Sequence, residues 1–312
     1  MIKSPFGIVI GGMLTKPHES DRMNQPALSA TLPGLGLAQD IDAGVPVLAG
    51  PAESACHFIP TSARGLWKLG TWRGLVAGCL RVDPRSNLPG LIEQAYGELF
   101  DILRPDYRLY RVWHYLPGIN KVKDGLETYR AFCIARHNAF SREFGAAATS
   151  EMPSASAVGA FGSHVSLAFV GGPAPCSHLE SPLQIPAYQY PAIHSPKPPS
   201  FARATRLPGF LFVSGTSSIR GHETVHPGDP SKQIQTTIEN LAVILGAAGA
   251  SFSDIDSQSA FVTVFLRSAD LLPLAREALN RNLPNSLERT QFLLADICRA
   301  ELDVEIEATL AG

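Results

Sequence analysis

The last predicted strand carries acidic residues at alternate positions. Asp303, Glu305 and Glu307 are separated by Val304 and Ile306. Successive side chains of a strand point to opposite faces, so the carboxyl groups share one face and the apolar residues the other. Carboxylates two positions apart lie roughly 7 Å from each other and disfavour each other's ionisation. One of them can therefore keep a proton near neutral pH and act as a general acid, whereas a solvated outer face is the commoner alternative.

Other residue patterns that support chemistry are absent from the sequence. The cysteines are odd in number, and no CxxC pair occurs, which argues against a disulfide framework and a zinc site. They are Cys56, Cys79, Cys133, Cys176 and Cys298. The histidines show no HxH or HExxH spacing, and glycine pairs such as Gly171-Gly172 lack the nucleotide-binding patterns. We therefore expect reduced thiols and neither a metal nor another cofactor.

Composition restricts the class of partner. The chain has 312 residues, of which 45% are hydrophobic and 17% charged, with a net charge of −2. This balance predicts a folded protein of about two domains and gives no attraction to nucleic acid or to anionic lipid. No run of about 18 apolar residues occurs, and residues 6–14 are interrupted by three glycines, so we predict neither a membrane span nor a signal peptide. A small-molecule substrate and a cytoplasmic location are expected.

The elements that must position these residues occur twice in the same order. Each half contains hairpin-like material, a helix, a strand, a second helix and two strands. In the first half these are residues 67–82, 87–103, 107–115, 124–144, 155–161 and 164–170. In the second half they are residues 210–223, 229–248, 259–266, 270–280, 289–297 and 302–310.

The repeated order predicts an α+β fold of two tandem β-β-α-β-α-β-β modules. The proline-rich stretch 173–200 lacks periodicity and is interpreted as a connection between them. The predicted boundaries are thus 1–172 for the first module, 173–200 for the connection and 201–312 for the second module. A chance coincidence of short apolar runs is the alternative to duplication.

The second half resembles the RidA/YjgF family of reactive-intermediate deaminases. Three separated blocks carry the resemblance in the expected order: FLFVSG at 210–215, QTTIENL at 235–241 and VEIEA at 304–308. The resemblance implies a chorismate mutase-like fold. It places the face of the strand that carries Glu305 beside a ligand cleft.

The first half resembles a narrower group, the chorismatase family. The resemblance rests on RVWHYLPGIN at 111–120 and on YRAFC at 129–133 followed by Arg136. It implies that the first module is degenerate and that the second carries the catalytic glutamate. The implied reaction is cleavage of the enolpyruvyl ether of chorismate to pyruvate and 3-hydroxybenzoate, with 4-hydroxybenzoate as a further candidate product. The implied assembly is a monomer or a homotrimer.

Three alternatives to this reaction stay open from the sequence. The enzyme could hydrolyse chorismate to a dihydroxycyclohexadiene carboxylate. It could instead be an enamine or imine deaminase working through Arg289 and Glu305. A non-catalytic module that binds an aromatic acid is the third alternative.

The resemblance also implies a set of site residues. Glu305 matches the catalytic glutamate, Cys298 occupies a position that influences the product, and Glu307 has a structural role. Arg203, Arg136 and Arg289 are candidates for binding the substrate carboxylates, because arginine pairs with carboxylates in a bidentate geometry. Tyr188 and Tyr190, in the connection, can cover the substrate ring. For these residues the alternatives are surface ion pairs, an inert thiol and packed aromatic rings.

Overall fold

The computed structural model describes residues 47–49, 62–72, 74–84, 87–256 and 260–311. The segment 6–14, Cys56 and Ser259 lie outside the described residues, so the sequence predictions that involve them have no structural counterpart here. No described helix has both the length and the apolar composition needed to cross a membrane.

The first half of the chain forms a six-stranded sheet covered by two helices. Its elements are β1 (Val47–Ala49), β2 (Ser62–Arg64), β3 (Trp67–Trp72), β4 (Leu75–Val82), α1 (Leu88–Leu103), β5 (Arg108–Pro117), β6 (Val122–Lys123), β7 (Leu126–Glu127), α2 (Thr128–Phe144), β8 (Ser154–Ala160) and β9 (Val165–Gly172). The strand order is β2-β3-β4-β9-β5-β8, and β6 and β7 form a separate hairpin. Helix α1 begins where the Asn87 side chain accepts a hydrogen bond from the Gly90 backbone N–H.

The second half forms a seven-stranded sheet. Its elements are β10 (Ser177–Leu179), β11 (Ala204–Leu207), β12 (Phe210–Ser217), β13 (Ile219–Arg220), β14 (Glu223–Thr224), α3 (Pro230–Ala247), α4 (Phe252–Ile255), β15 (Ala260–Leu266), α5 (Leu272–Asn282), β16 (Thr290–Leu294) and β17 (Val304–Ala311). The strand order is β1-β16-β15-β17-β12-β11-β10. The edge strands β1 and β10 come from before residue 201, and the predicted module boundaries stay predictions.

The two sheets share one topology, and the predicted α+β fold of two modules is confirmed. In the first sheet β3-β4-β9-β5-β8 are neighbours, and in the second β11-β12-β17-β15-β16 follow the same order of elements. In each module the last helical crossover joins two parallel strands, β5 with β8 and β15 with β16. This correspondence of order and direction is what duplication of one module predicts.

Three apolar cores divide the molecule into layers. One core lies between the first sheet and its helices α1 and α2, and another lies between the second sheet and its helices α3 and α5. The third core lies between the two sheets and includes Trp113 from β5 and Phe212 and Phe265 from the second sheet. The sheets therefore face each other, and their helices lie outside.

The alternation predicted for the last strand is confirmed. Val304, Ile306 and Ala308 of β17 pack in the core beneath the helices. Glu305 and Glu307 point the other way, toward the first sheet, and are only 4% and 1% exposed. A solvated outer face is thereby excluded, because the face that carries the carboxyl groups is covered by the other module.

Three local predictions were wrong. Asp124 and Gly125 do not open a helix: both have positive φ angles and form the turn between β6 and β7. Helix α2 begins later, at Thr128. In the second half, β12 pairs with the preceding β11, so the hairpin spans 204–217 rather than 210–223. The chain at Asp270 forms a short 3₁₀ turn, Ala269–Leu271, before α5 begins at Leu272.

Candidate active site

A cavity of about 250 Å³ lies between the two modules. The first module contributes residues of α2 and β8, and the second contributes residues of β12, β17 and the loop before β17. The connection contributes a third wall between Tyr190 and Ser200. Both modules and the connection therefore contribute walls of the cavity.

Glu305 lies on the cavity wall with few polar partners. Its backbone pairs with Ser217 of β12 and Phe265 of β15. Its carboxyl group packs directly over Gly215, where any side chain would collide with Oε1. The Ser217 hydroxyl donates a long hydrogen bond of 3.4 Å to Oε2. Burial and the neighbouring Glu307 raise the pKa of Glu305 to about 8, although Arg111, Ser217 and Arg203 act against the shift. Glu305 is thus mostly protonated at neutral pH.

Glu307, by contrast, is saturated with hydrogen-bond donors. Arg111 Nη2 and the Ser156 hydroxyl donate to Oε2 at 2.5 Å each, and Trp113 Nε1 donates to Oε1 at 3.0 Å. The Ser156 hydroxyl in turn accepts from Arg111 Nη2 at 2.6 Å and from the Gly215 backbone N–H at 2.9 Å. Glu307 does not line the cavity. These bonds join β17 to β5 and β8 of the other module.

Arg136 is a buried cation that faces the cavity without an acidic partner. It is 2% exposed, and its guanidinium lies 5.4 Å from the centre of the Tyr96 ring and 5.5 Å from that of Phe140. Within the described part of the chain it forms no ion pair, and its Nε and Nη2 have no hydrogen-bond partner. An unpaired buried cation is costly unless a ligand supplies the anion.

A chain of hydrogen bonds fixes the surroundings of Arg136. The Ser156 carbonyl lies 2.7 Å from His114 Nδ1, and the Tyr96 hydroxyl lies 2.7 Å from His114 Nε2. Because a carbonyl only accepts, Nδ1 carries the proton and Nε2 accepts from Tyr96. Burial and the nearby Arg136 lower the pKa of His114 well below its ordinary value. His114 is therefore neutral and orients Tyr96 beneath the guanidinium.

Arg203 is the second cation directed at the cavity. It is 3% exposed, and its Nη2 donates to the Tyr190 hydroxyl at 2.7 Å. Its Nε has no partner among the described residues. The Tyr190 ring lies between two guanidinium groups, 5.7 Å from that of Arg203 and 5.4 Å from that of Arg299. The structure thus brings Arg203, near the start of the second module, together with Tyr190 of the connection on one wall of the cavity.

Two serine hydroxyls of the connection complete the set of unsatisfied groups. Ser195 and Ser200 both line the cavity, and neither hydroxyl has a partner among the described residues. Buried polar groups in folded proteins are nearly always paired. Two cations and two hydroxyls around one cavity therefore indicate a ligand with carboxylate groups and further polar atoms.

Cys298 lines the same cavity, in the loop before β17. Burial and the nearby Glu305 raise the pKa of this thiol to about 12. It is uncharged at neutral pH, which suits a group that fills space or donates a weak hydrogen bond and does not suit a thiolate nucleophile.

Two of the predicted substrate-binding residues lie elsewhere. Arg289 donates to the backbone carbonyls of Asn285 and Asp256 and is not part of the cavity wall. Tyr188 packs against the core of the first module, which is the packed-aromatic alternative. A deaminase site built from Arg289 and Glu305 has no counterpart in this cavity, because only Glu305 reaches it.

Several residues of the site were missed by the sequence analysis. They are Ser156, Ser195, Ser200, Gly215 and Arg299. Gly215 ends the FLFVSG block and Arg299 follows Cys298, so their neighbours in sequence offered a signal. The three serines offered no such signal, because nothing in their local sequence identifies them as site residues. In the described ranges no three His, Cys, Asp or Glu side chains converge to hold a metal ion.

Comparison with known families and proteins agrees with this geometry. Residues 64–171 match the family model described as "Chorismatase FkbO/Hyg5-like, N-terminal", and residues 193–311 match "Endoribonuclease L-PSP". A 3-hydroxybenzoate synthase of Streptomyces hygroscopicus is 32% identical, with 74% of this chain and 72% of that protein covered. A chorismatase of Streptomyces rapamycinicus is 36% identical, with 84% and 80% covered. A crystal structure of chorismatase superposes with a TM-score of 0.73 at 29% identity, with 82% of this chain and 81% of that chain covered.

Proposed function

The chain belongs to the chorismatase family, and we propose that it cleaves the enolpyruvyl ether of chorismate, releasing pyruvate and 3-hydroxybenzoate. One observation carries the proposal. A single cavity between the modules is lined by a protonated carboxyl group, Glu305, and by two cations, Arg136 and Arg203, which form no ion pair with any described residue. An acid-catalysed reaction of a dicarboxylate needs both of these features.

The two cations match the two carboxylates of chorismate. Arg136 comes from the first module and Arg203 from the second, so each module supplies one carboxylate-binding group. The hydroxyls of Ser195 and Ser200 remain for other polar atoms of the substrate. Tyr190, held by Arg203, forms the wall that covers the ring.

Glu305 is the general acid in this proposal. It transfers its proton to the terminal methylene carbon of the enolpyruvyl group, which becomes the methyl group of pyruvate. The cation left on the adjacent carbon is stabilised by the ether oxygen as an oxocarbenium ion. Addition of water to that carbon gives a hemiketal, which collapses to pyruvate and the dihydrodiol and so consumes one water. Addition of the ring's own hydroxyl instead gives a cyclic ketal and returns the hydroxyl proton to the Glu305 carboxylate. When the ring of the ketal becomes aromatic, the bond between the ring and the oxygen of that hydroxyl breaks, and the ring carbon that bears the ether loses its proton. The transferred oxygen becomes the carbonyl oxygen of pyruvate and the ether oxygen becomes the phenol, so cleavage to pyruvate and a hydroxybenzoate consumes no water.

Cys298 is the proposed determinant of the product. Water that reaches the oxocarbenium ion yields a non-aromatic dihydrodiol, whereas exclusion of water favours the aromatic acid. The uncharged thiol occupies space beside Glu305 and can donate a weak hydrogen bond to the departing oxygen.

A monomer and a homotrimer both stay predictions. We propose a cytoplasmic location, because the four described cysteines, Cys79, Cys133, Cys176 and Cys298, are free thiols.

Replacing Glu305 with glutamine tests the assigned acid. Glu305→Gln keeps the size of the side chain but has no acidic proton, so pyruvate release from chorismate falls on the order of 10²-fold or more. Pyruvate is measured by a coupled assay, and circular dichroism confirms folding. The exposed Glu277→Gln on α5 is the matched control and keeps wild-type activity. Near-normal release by folded Glu305→Gln would refute the assignment.

Replacing Arg136 with methionine tests carboxylate binding. Methionine keeps the packing on Tyr96 and Phe140 but removes a charge-assisted interaction worth about 1.5–3 kcal/mol, so KM rises at least tenfold. Because the cation is unpaired in the free protein, the melting temperature does not fall. Arg142→Met on the exposed side of the same helix is the control, with an unchanged KM. A normal KM in Arg136→Met would place the substrate carboxylates elsewhere.

Replacing Cys298 with alanine tests the choice of product. The change removes one heavy atom and leaves room for about one water molecule beside the substrate. Pyruvate release is retained, and the organic product shifts from 3-hydroxybenzoate toward the dihydrodiol. Chromatography of the acid products measures the ratio. An unchanged ratio would remove Cys298 from product choice and leave the role of Glu305 untouched.

A further inference from the structure

We infer that Arg111 and Trp113 hold Glu307 as a permanent anion whose function is to keep Glu305 protonated over the working pH range. The inference rests on the proposed role of Glu305 as the acid and extends it to a regulating neighbour. Neither Arg111, Trp113 nor Glu307 lines the cavity, so Glu307 is a positioning residue that acts through Glu305.

The hydrogen-bond donors around Glu307 suit a carboxylate. Oε2 accepts from Arg111 and Ser156, and Oε1 accepts from Trp113. Guanidinium and indole N–H groups donate and never accept. Three of the roughly four acceptor sites of the carboxylate therefore receive donors, and one of these donors, Arg111, is a cation. The carboxylate is also 1% exposed, so its charge is poorly screened by solvent.

Glu305 has the opposite surroundings. It is the next residue on the same face of β17. Among the described residues its carboxyl group receives a side-chain hydrogen bond from Ser217, whose hydroxyl can accept as well as donate. Of two adjacent buried carboxyl groups, the one with fewer obligatory donors retains the proton. The pair therefore divides its roles by geometry: Glu307 is the anion and Glu305 the acid.

The other charged or titratable groups near Glu305 come from three further elements. Arg111 and Tyr115 belong to β5, Arg203 precedes β11, and Cys298 lies in the loop before β17. Tyr115 and Cys298 are uncharged at neutral pH, since burial raises the pKa of both groups. Arg111 and Arg203 favour ionisation of Glu305, and Glu307 opposes them. Glu307 raises the pKa of Glu305 more than Arg111 lowers it.

The motif at 111–120 thereby acquires a function. Arg111 and Trp113 are alternate residues of β5 and point to the same face, across the core between the sheets. They reach β17 from the other module without contacting the cavity. The degenerate first module thus sets the proton affinity of an acid carried by the second.

The test is the pH profile of kcat/KM for pyruvate release, which reports the free enzyme. Carboxyl groups ordinarily have pKa values of roughly 4, so both carboxylates of chorismate stay ionised from pH 6 to 10. In the wild type, activity falls as pH rises through about 8, where Glu305 loses its proton. In Glu307→Gln the like charge is gone, so Glu305 ionises at lower pH and the midpoint moves toward acid by about one unit or more.

Trp113→Phe is the structural control. It removes one neutral hydrogen bond to Glu307 and leaves Arg111 as the charged donor, so stability falls and the midpoint moves far less than in Glu307→Gln. A merely structural role of Glu307 would lower activity in both variants and shift neither midpoint. That result would overturn the inference.

A second variant covers the case in which Glu307→Gln fails to fold because Arg111 is left unpaired. The double variant Arg111→Gln/Glu307→Gln buries no charge. Since Glu307 has the larger influence, the midpoint still moves toward acid, by less than in the single variant. A midpoint that stays or moves toward alkaline pH would overturn the inference. Full activity in folded Glu305→Gln would instead defeat the proposed function, so the two failures are distinguishable.

Discussion

The ion pair between Arg111 and Glu307 is the interaction on which the rest of this structure depends. It lies in the core between two facing sheets, with both side chains 1% exposed. A buried ion pair repays its desolvation only when further hydrogen bonds satisfy the remaining polar atoms, as Trp113 and Ser156 do for Glu307. Because the four residues come from both modules, the same bonds fix how the modules face each other and where the cavity lies between them.

Ser156 links this ion pair to the rest of the site. Its hydroxyl contacts Arg111, Glu307 and the Gly215 backbone beneath Glu305. Its carbonyl accepts from His114, which orients Tyr96 under Arg136. One residue of β8 thus connects the acid on one wall of the cavity with the cation on another. Around the cavity, Arg136, Arg203, Ser195 and Ser200 have buried polar atoms without a hydrogen-bond partner among the described residues. A ligand with matching acceptors would pair these groups.

The sequence alone predicted the fold well where periodicity is strong. Alternation on β17 separated the carboxyl face from the apolar face, and helical spacing located α1 and α3. It failed at Asp124-Gly125, where turn residues that resemble a helix start close a hairpin instead. The family resemblance placed Arg203, Arg136 and Cys298 at the cavity but misplaced Arg289. The sequence around a residue does not show whether the other module packs against that residue.

Two features of the site depend on tertiary contacts and could not be predicted. Ser195 and Ser200 lie in a stretch without periodicity, and the cavity is what distinguishes them from surface serines. The division of roles between Glu305 and Glu307 is the other feature. Both are glutamates on one face of one strand, and the donors that select the anion come from residues almost 200 positions away.

The central claim is that Glu305 carries a proton at neutral pH. Infrared difference spectroscopy of the free enzyme measures this directly, through the C=O stretching band of a protonated carboxyl group. Subtraction of the Glu305→Gln spectrum assigns the band to that residue. The account predicts that the band is present at pH 7 and disappears with a midpoint at about 8. A band that is absent at pH 7 and appears only near pH 4, in the ordinary range of glutamate, would contradict it.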